Sequence, residues 1–540
     1  GLTRWDGNEF EPVGWAGPDI GTVRAAWFDA QNRPVFLATN SLVRFEAGVP
    51  IRFAEDVMRE IAPSSLVAAA RMPDQTVALV SQTAGLFILN DDGQVVRHLD
   101  RDEGLPSLSM GSIHFGRNGR AWICGYSNLV AVDSGNVQTL FTGSNGNGGD
   151  AVAFIQSAET GMLSATAEGV GRLEPVARHA ARFRPLPHLR GLFRDLHRLP
   201  DGHIIASGTG EIVQIRNEDA IQLYRRSAIG LFEFGRLTHD RARVAVGAGE
   251  DLAVLDLDRT DPLLRTVGGL PSMVTRLTGD GSGTVWGSMR REGIVEFGHL
   301  LAPDPVQRHF QPGRDLPEPF NDPAVFVLGG RAYAYTSNVI VELPRSAGEN
   351  TRVVCPGIGL LTAERTAELT LWGVATAHGQ VPHLIRITRL PDGGLTVRPT
   401  NQRIRDIGNV TVFARAEEHI VWIGGSLGAI RIDTREVADE PLLLEPIVQA
   451  VNWRAGDQVM PLPLAGGPTM DFARTGTIEF QLRDRSDPFA PVQVIETRLV
   501  GIDKDWRLSG KSRSIAGLDE GTYTLEARVV GFLGNPGPVV

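Results

Sequence analysis

The sequence is short of cysteine, of positive charge and of long apolar runs, and each shortage excludes a class of protein. Among 540 residues there are two cysteines, Cys124 and Cys355. They leave a disulfide weakly supported and a zinc site unsupported, so we expect two structural thiols and no metal centre. The formal net charge of −10 offers nucleic acid and anionic membranes no electrostatic attraction, so neither is an expected partner.

Segments for targeting and membrane insertion are also missing. No apolar stretch approaches the roughly 20 residues of a membrane-spanning helix, and no signal peptide is recognisable. Residues 1–7 match the end of the third strand of a repeat whose beginning is absent. We therefore expect the chain to be a fragment, with any membrane anchor in segments outside it.

Glycine and proline, by contrast, are abundant, at 62 and 33 residues, and they separate many short apolar segments. The clearest example is the stretch 104–141, with turns at Gly104–Ser107 and Gly116–Gly119. Its predicted strands are Met110–Phe115, Ala121–Gly125, Leu129–Val132 and Val137–Phe141. A four-stranded antiparallel meander of about 40 residues has the size of one β-propeller blade.

The same pattern recurs along the chain at 269–297 and 410–433, which places Trp122, Trp286 and Trp422 at equivalent positions. Recurrence at the repeat period inside apolar strands predicts packing between blades rather than a platform for stacking sugars. A mean spacing of roughly 43 residues fits propeller repeats. The predicted units begin near Val23, Leu66, Ser112, Ala151, Leu192, Arg236, Ser272, Ala324, Ala367 and Val410.

These patterns predict an all-β protein of three parts. Residues 1–148 are the last three to four blades of an N-terminal propeller, and 149–441 are a seven-bladed propeller with four-stranded blades. Between them, the Gly/Asn-rich run 143–150 reads as a flexible linker. The period is lost after Leu442, and residues 442–540 read as an immunoglobulin-like β-sandwich. A single distorted ring of blades is the competing partition.

Two motif sets carry a family resemblance. The pattern at 104–133, echoed at 269–297 and 410–433, resembles the two-component-regulator propeller repeat. The segments 498–506 and 515–525 resemble the three-tyrosine domain that follows such propellers. Thr497 and Ser514 stand where that family usually has tyrosine, and only Tyr523 of the three tyrosines remains. These departures leave the expected fold intact and put a coupling role of the tyrosines in doubt.

The resemblance implies a ligand-sensing region in the periplasm, belonging to a bacterial transmembrane signalling protein. Its output domain, a histidine kinase or a diguanylate cyclase, would lie outside this chain, which is then no enzyme itself and needs no cofactor. The ligand would be a small molecule, carbohydrate being one candidate, and the sandwich would relay the signal or form a homodimer. The alternatives are a propeller glycosidase or polysaccharide lyase with an accessory sandwich, and a protein-binding scaffold.

Propellers present loops around a central channel, which is a natural place for a ligand. Residues at the entry to the innermost strands face such a channel. By alignment of the blades, the candidate ligand-binding residues are Arg194, Met273, Arg276 and Asn409.

Other chemistry-bearing residues have plainer interpretations. A glycosidase needs two carboxylates that flank the scissile bond, and the acids that might line a channel are Asp195, Glu233 and Asp240. Nothing in the sequence shows that two of them meet, and exposed loop acids are the commoner case. His197 and His203 bracket a hairpin turn, but a third metal ligand is not evident.

Overall fold

The computed structural model describes all of the chain except a set of short segments. The segments left out are 1–2, 13–21, 40, 48, 62–65, 73, 102, 104, 117–119, 133–137, 144–145, 148, 177–180, 217, 227–230, 347, 378–379, 440–442, 444, 465–475 and 484–493. Within the described residues, antiparallel sheets dominate, with one α-helix, α1 (Glu55–Ile61), and no helix long and apolar enough to cross a membrane. The predicted all-β class is confirmed.

Residues 3–132 form a hairpin and three sheets. Their strands are β1 (Thr3–Trp5), β2 (Phe10–Pro12), β3 (Val23–Phe28), β4 (Pro34–Ala38), β5 (Ser41–Glu46), β6 (Val49–Phe53), β7 (Leu66–Arg71), β8 (Val77–Ser81), β9 (Leu86–Leu89), β10 (Val95–Leu99), β11 (Met110–Phe115), β12 (Ala121–Gly125) and β13 (Leu129–Val132). The sheets are β3–β6, β7–β10 and β11–β13, and their first strands β3, β7 and β11 lie side by side. That they are the last blades of a second propeller stays a prediction. Gly104, Arg117–Gly119 and Asp133, which the predicted turns and strand end include, lie outside the described residues.

Residues 138–433 form seven further sheets, which we call blades 1 to 7. Their strands are β14 (Gln138–Phe141), β15 (Ala151–Ser157), β16 (Gly161–Thr166), β17 (Gly169–Glu174), β18 (Arg182–Arg190), β19 (Phe193–Arg198), β20 (Ile204–Gly208), β21 (Glu211–Arg216), β22 (Asp219–Arg225), β23 (Leu231–Arg236), β24 (Arg243–Ala248), β25 (Asp251–Asp256), β26 (Leu263–Val267), β27 (Val274–Gly279), β28 (Val285–Met289), β29 (Gly293–Gly298), β30 (Val306–Phe310), β31 (Ala324–Leu328), β32 (Arg331–Tyr335), β33 (Val339–Glu342), β34 (Arg352–Pro356), β35 (Ile358–Ala363), β36 (Thr366–Ala367), β37 (Thr370–Ala377), β38 (His383–Arg389), β39 (Leu395–Arg403), β40 (Val410–Glu417), β41 (Ile420–Gly425) and β42 (Gly428–Asp433).

Successive blades contact each other, and blade 7 contacts blade 1, which closes the ring. Blades 1 to 4 are β15–β18, β19–β22, β23–β26 and β27–β30. Blade 5 is β31–β34 with β36 added beside β31, and blade 6 is β35 with β37–β39. Two predicted starts are wrong: blade 3 begins at Leu231 rather than near Arg236, and blade 6 begins at Ile358. Ala367, the predicted start of that unit, belongs to β36, which pairs in parallel with β31 of the neighbouring blade.

Blade 7 takes its outer strand from a distant part of the chain. β14 pairs antiparallel with β42, from Gln138 opposite Ile432 to Phe141 opposite Ala429. The prediction that 137–141 completes the unit at 104–133 is therefore wrong; Val137, which that predicted strand includes, lies outside the described residues. Residues 138–141 belong to blade 7 although they precede the predicted boundary at 148. Packing explains the difference: Phe141 is 2% exposed, and its ring centroid lies 5.0 Å from that of Trp422.

The run 143–150 that follows β14 is packed rather than a free linker where it is described. Asn147 is buried, and its Oδ1 accepts a hydrogen bond from Ser164 Oγ at 2.9 Å. Gly146 has φ +87°, and a Cβ at this position would lie 1.9 Å from the Phe183 carbonyl oxygen. Only glycine fits such a close approach with positive φ, which explains its presence here.

Two of the three repeated tryptophans pack between apolar strands, as predicted. Trp422 is 1% exposed and lies among Phe141, Phe154 and Phe183, while Trp286 is buried against apolar residues of blades 4 and 5. Trp122, in the N-terminal region, is half-buried. Trp286 and Trp422 are therefore architectural residues.

The C-terminal residues form two four-stranded antiparallel sheets. Their strands are β43 (Ile447–Ala455), β44 (Gln458–Leu462), β45 (Thr477–Arg483), β46 (Val494–Leu499), β47 (Arg507–Leu508), β48 (Ser512–Ala516), β49 (Leu525–Val530) and β50 (Pro536–Val539). The strand orders are β44-β43-β45-β48 and β47-β46-β49-β50, and a shared core that includes Leu482, Ile495 and Val529 joins the two sheets. The immunoglobulin-like assignment of this pair stays a prediction; Val492, which one predicted strand includes, lies outside the described residues.

The turn between β49 and β50 fastens the C-terminal sheets to the ring. Phe532 is fully buried in the core of blades 5 and 6, with its ring centroid 4.7 Å from that of His383. Gln380 Nε2 donates hydrogen bonds to the carbonyl oxygens of Val530 and Gly531 at 3.2 and 2.9 Å. We call residues 531–534 the docking turn.

Phe141→Ala is expected to destabilise the ring by about 3–5 kcal/mol, the usual cost of removing a buried phenylalanine side chain. The urea midpoint of unfolding measures this loss. Leu140→Ala on the same strand is the control, because Leu140 is 42% exposed and its truncation removes little buried surface. Equal midpoints for the two variants would contradict the closure of the ring by β14.

His383 predicts a stability that falls in mild acid. Burial lowers the pKa of His383 from 6.5 to about 4. Between these values the unfolded chain binds a proton that the folded chain does not, so stability decreases as pH falls from about 6.5 to about 4. The full effect is on the order of 3 kcal/mol. His383→Gln should flatten this pH dependence, and replacement of the exposed His188 by glutamine should leave it as steep as in the wild type.

Candidate functional site

Six of the innermost strands share a local irregularity in their pairing. In β15, β19, β23, β27, β35 and β40, the register with the second strand of the blade shifts near the start of the strand. Such bulges re-aim the residues beside them and are common next to functional sites. Asp195 and Arg276 are the first paired residues after the shift in blades 2 and 4.

Three charged side chains from three blades meet in the ring. Arg365 comes from the connection between β35 and β36, next to blade 5. Its Nη1 and Nη2 lie 2.9 and 3.1 Å from Asp195 Oδ2 and Oδ1, and its Nη2 lies 3.3 Å from Glu233 Oε2. Arg365 Nη1 also donates to the Phe234 carbonyl oxygen at 3.2 Å. One guanidinium thus joins two carboxylates, which we call the arginine bridge.

Both carboxylates also tie their own blade to the next one. Asp195 Oδ2 in blade 2 accepts from the Phe234 backbone N–H of blade 3 at 2.8 Å. Glu233 Oε2 in blade 3 accepts from the Leu277 backbone N–H of blade 4 at 3.2 Å. Each oxygen of Asp195 is therefore occupied, since Oδ1 also accepts from the Leu196 N–H. A carboxylate held this way is an acceptor, and not a poised general acid.

Within the arginine bridge, the opposite charges favour the ionised form of each other. Burial raises the pKa of the Glu233 carboxyl, and the positive charge of Arg365 opposes that shift. The negative charges of Asp195 and Glu233 outweigh burial at Arg365 and raise the pKa of its guanidinium. Arg365 therefore stays charged, and Asp195 is a buried ion-pair partner rather than an exposed loop acid.

A cavity of ≈ 350 Å³ lies beside the arginine bridge. Blade 1 and blade 7 supply an apolar wall from 153–155 and 412–414, and blades 2 and 3 supply the strand ends opposite. The charged and titratable groups that line it are Asp195, His197, Arg198, Arg236, Glu364, Arg365 and Arg415. Its volume falls within the range of small-molecule sites.

Two of the lining groups have strongly altered environments. Burial lowers the pKa of His197 to about 4, and the positive charges of Arg236 and Arg365 act in the same direction. The His197 imidazole is therefore neutral at physiological pH. Burial raises the pKa of the Glu364 carboxyl, although Glu364 Oε1 lies 3.4 Å from Arg415 Nη1. Glu364 Oε2 accepts from the Trp372 backbone N–H at 2.9 Å.

None of the four candidate ligand-binding residues is among those that line the cavity. Arg276 is half-buried, and its positive charge acts on Glu233 of the arginine bridge. Arg194 and Met273 are exposed near the starts of their strands. Asn409 is exposed as well, and its backbone N–H donates to Ser426 Oγ at 3.0 Å. A ligand-binding role for these residues stays a prediction.

Two of the remaining candidates, Asp240 and His203, are not among the residues that line the cavity. Asp240 lies in an exposed turn, and His203 Nδ1 pairs with Asp201 Oδ2 at 2.7 Å, while His197 packs beside Phe234. Cys124 and Cys355 are free thiols. Over the part of the chain that the structure describes, no three histidine, cysteine, aspartate or glutamate side chains are grouped to hold a metal ion.

Sequence reasoning missed the arginines of this region. Arg365 lies outside the repeat pattern, in the connection that carries β36 to the neighbouring blade. The repeat pattern predicts Arg236 near the start of a blade, but Arg236 ends the innermost strand β23. The available signal lay in β40, where Val412 and Ala414 stand two residues apart and both line the cavity, with Arg415 next to them.

Arg365→Gln is expected to destabilise the chain by about 3–5 kcal/mol, because it leaves the Asp195 carboxylate buried without its cation. Asp195→Asn should cost a similar amount, and the double variant less than the sum of both, as residues in one network are coupled. The free energy of urea unfolding measures each value. Arg290→Gln is the control, since its ion pair with Asp322 is exposed and is expected to contribute about 0–1 kcal/mol. Additive losses would contradict the coupling.

Comparison with known proteins gives a likeness in structure alone: no protein-family model matches the chain, and no curated protein matches its sequence. A solved structure that it resembles is the extracellular domain of the putative hybrid two-component system BT3049 from B. thetaiotaomicron. The TM-score is 0.69 at 12% identity, over 96% of this chain and 72% of that chain.

Two other solved structures resemble it less closely. The extracellular domain of the putative one-component system BT4673 from B. thetaiotaomicron has a TM-score of 0.44 at 15% identity, over 99% of this chain and 77% of that chain. Streptogramin B lyase has a TM-score of 0.41 at 11% identity, over 56% of this chain and 97% of that chain. The likeness to the BT3049 domain supports the predicted propeller architecture at the level of fold along almost the whole chain.

Proposed function

We propose that this chain is the extracytoplasmic, ligand-sensing region of a bacterial transmembrane signalling protein. The observation that carries the proposal is the extent of the likeness to the BT3049 extracellular domain, which covers 96% of this chain. Such a match takes in the N-terminal sheets, the ring and the C-terminal sheets in one order. The location would be the periplasm, and the output, a histidine kinase or a diguanylate cyclase, would be carried by segments outside this chain.

The contacts of the ring supply a physical route for a signal. Arg365 stands two residues after Ala363, and Ala363 belongs to the same hydrophobic core as Phe532 of the docking turn. A ligand in the cavity touches Arg365, so it would bias the connection between β35 and β37. That bias would reach the C-terminal sheets through the packing around Phe532, with these sheets relaying it or forming a homodimer.

Binding without turnover is the activity that the cavity favours. A hydrolase needs a carboxylic acid and a carboxylate free to act on opposite sides of a bond. Here Asp195 and Glu233 share one guanidinium and accept backbone N–H groups. We therefore propose a sensor rather than a glycosidase or lyase.

A ligand screen tests this function on the purified chain. Thermal shift with a panel of monosaccharides, disaccharides, sugar acids and amino acids should give at least one ligand that raises Tm and is recovered chemically unchanged. Hydrogen exchange should then slow both around Arg365 and in the docking turn. Turnover of the bound molecule, or protection that stops at the cavity, would overturn the proposal.

Phe532→Ala provides the matched variant for this experiment. It removes the phenyl group that fastens the C-terminal sheets to the blades, and it leaves every cavity-lining residue in place. The ligand should still protect the cavity of this variant, while protection of residues 531–534 should be lost. Phe480→Ala, in the core of the C-terminal sheets away from the ring, should keep both effects.

A further inference from the structure

The charges that line the cavity are unbalanced. Four arginines, Arg198, Arg236, Arg365 and Arg415, and two acidic residues, Asp195 and Glu364, line the cavity. Asp195 is taken by Arg365, and Glu364 by Arg415. Arg198 and Arg236 thus have no carboxylate partner among the described residues. With Glu233 of the arginine bridge counted as well, the four arginines still outnumber the acidic groups by one.

Arg236 is the more telling of the two because part of its head group is shut away from water. Its Nε is buried and has no hydrogen-bond partner within the described part of the chain. An unsatisfied buried donor is costly, and a donor on a charged group more so. Buried arginine Nε atoms of this kind also occur at Arg71 and Arg389, but of these residues Arg236 is the one that lines the cavity. A ligand acceptor in the cavity would satisfy it.

The backbone around Arg236 is built to hold this residue close to the next blade. A Cβ at Gly279, the last residue of β27, would lie 2.1 Å from the Arg236 carbonyl oxygen and 2.6 Å from its nitrogen. Glycine at position 279 therefore allows the end of β23 to press against blade 4. Gly279 also lines the cavity, so the close approach belongs to the cavity itself.

The other walls suit a small molecule with one charged end. Phe154 and Phe413 lie on the apolar side and are 5% and 6% exposed. His197 is neutral and offers one donor and one acceptor without adding charge. A cavity lined by guanidinium-bearing residues, a neutral imidazole and apolar side chains suits a ligand of about hexose size that bears an acidic group.

We propose that this cavity binds a small organic oxyanion, a carboxylate or a phosphate ester, whose acidic group is held by Arg236 and Arg198. The proposal deepens the sensing function above and rests on it. A planar guanidinium fork binds carboxylate and phosphate oxygens in pairs, which gives orientation as well as attraction. The neighbouring arginine bridge stays intact, because Arg365 is already engaged by Asp195 and Glu233.

Calorimetric titration of the whole chain with glucuronate, glucose 6-phosphate and glucose tests the charge requirement. Glucuronate and glucose differ by one carboxylate, so glucuronate should bind at least about tenfold more tightly. Comparison with glucose 6-phosphate tells which acidic group is preferred. Glucose binding as tightly as both acids would overturn the oxyanion proposal and leave sensing intact, and so would the absence of binding by either acid while the screen yields a ligand protecting another region.

Substitutions locate the binding group. Arg236→Gln should weaken the tighter acid by about tenfold or more, and Arg236→Lys should recover part of the loss by restoring charge without the fork. Arg259→Gln removes the same charge from an exposed turn outside the cavity and should leave the affinity unchanged. If Arg236→Gln and Arg259→Gln lost the same affinity, the attraction would come from the net charge of the chain, and the proposed site would be overturned. Arg198→Gln, at an exposed position, keeps the test informative if Arg236→Gln fails to fold.

Discussion

The ring depends on how the innermost strands are held around the channel. Among the described residues, the short pairing of β36 with β31 is the one sheet pairing between blades. Side chains take over this task. Asp195 and Glu233 accept backbone N–H groups of the following blade, and Thr278 Oγ1 donates to the Val325 carbonyl oxygen of the next at 2.8 Å. Carboxylates placed so deep need a cation, because a buried unpaired charge costs several kcal/mol. Arg365 supplies it.

This requirement links architecture to ligand binding. The carboxylates that join the blades are neutralised by Arg365, whereas Arg236 and Arg198 have no such partner in the described chain. The channel therefore contains two kinds of arginine. Arg365 is paired with the carboxylates that hold the blades together, whereas Arg236 and Arg198 can still bind an anion. A search for conspicuous acids alone would find the first kind and overlook the second.

Much of the architecture could be predicted from the sequence, and the reasons are local. The all-β class followed from short apolar strands between glycine-rich turns, and the packing role of Trp286 and Trp422 followed from their recurrence. The partner of β14 could not be predicted, because its pairing with β42 joins residues almost 300 positions apart and local pattern is silent on such contacts. The position of Arg365 could not be predicted for a similar reason, because the connection that carries it leaves its own blade and pairs with the neighbouring one.

The closure of blade 7 has a consequence for anyone who cuts this chain into pieces. A fragment that starts at 149, where composition suggests a boundary, would lack β14. The edge of β42 would then be open, with the buried Ile430 and Ile432 beside unpaired backbone groups. An open apolar edge is a template for pairing with another molecule, so such a fragment would tend to aggregate. A soluble ring begins no later than Gln138, and the N-terminal sheets are thereby tethered to the ring through the strand that locks it.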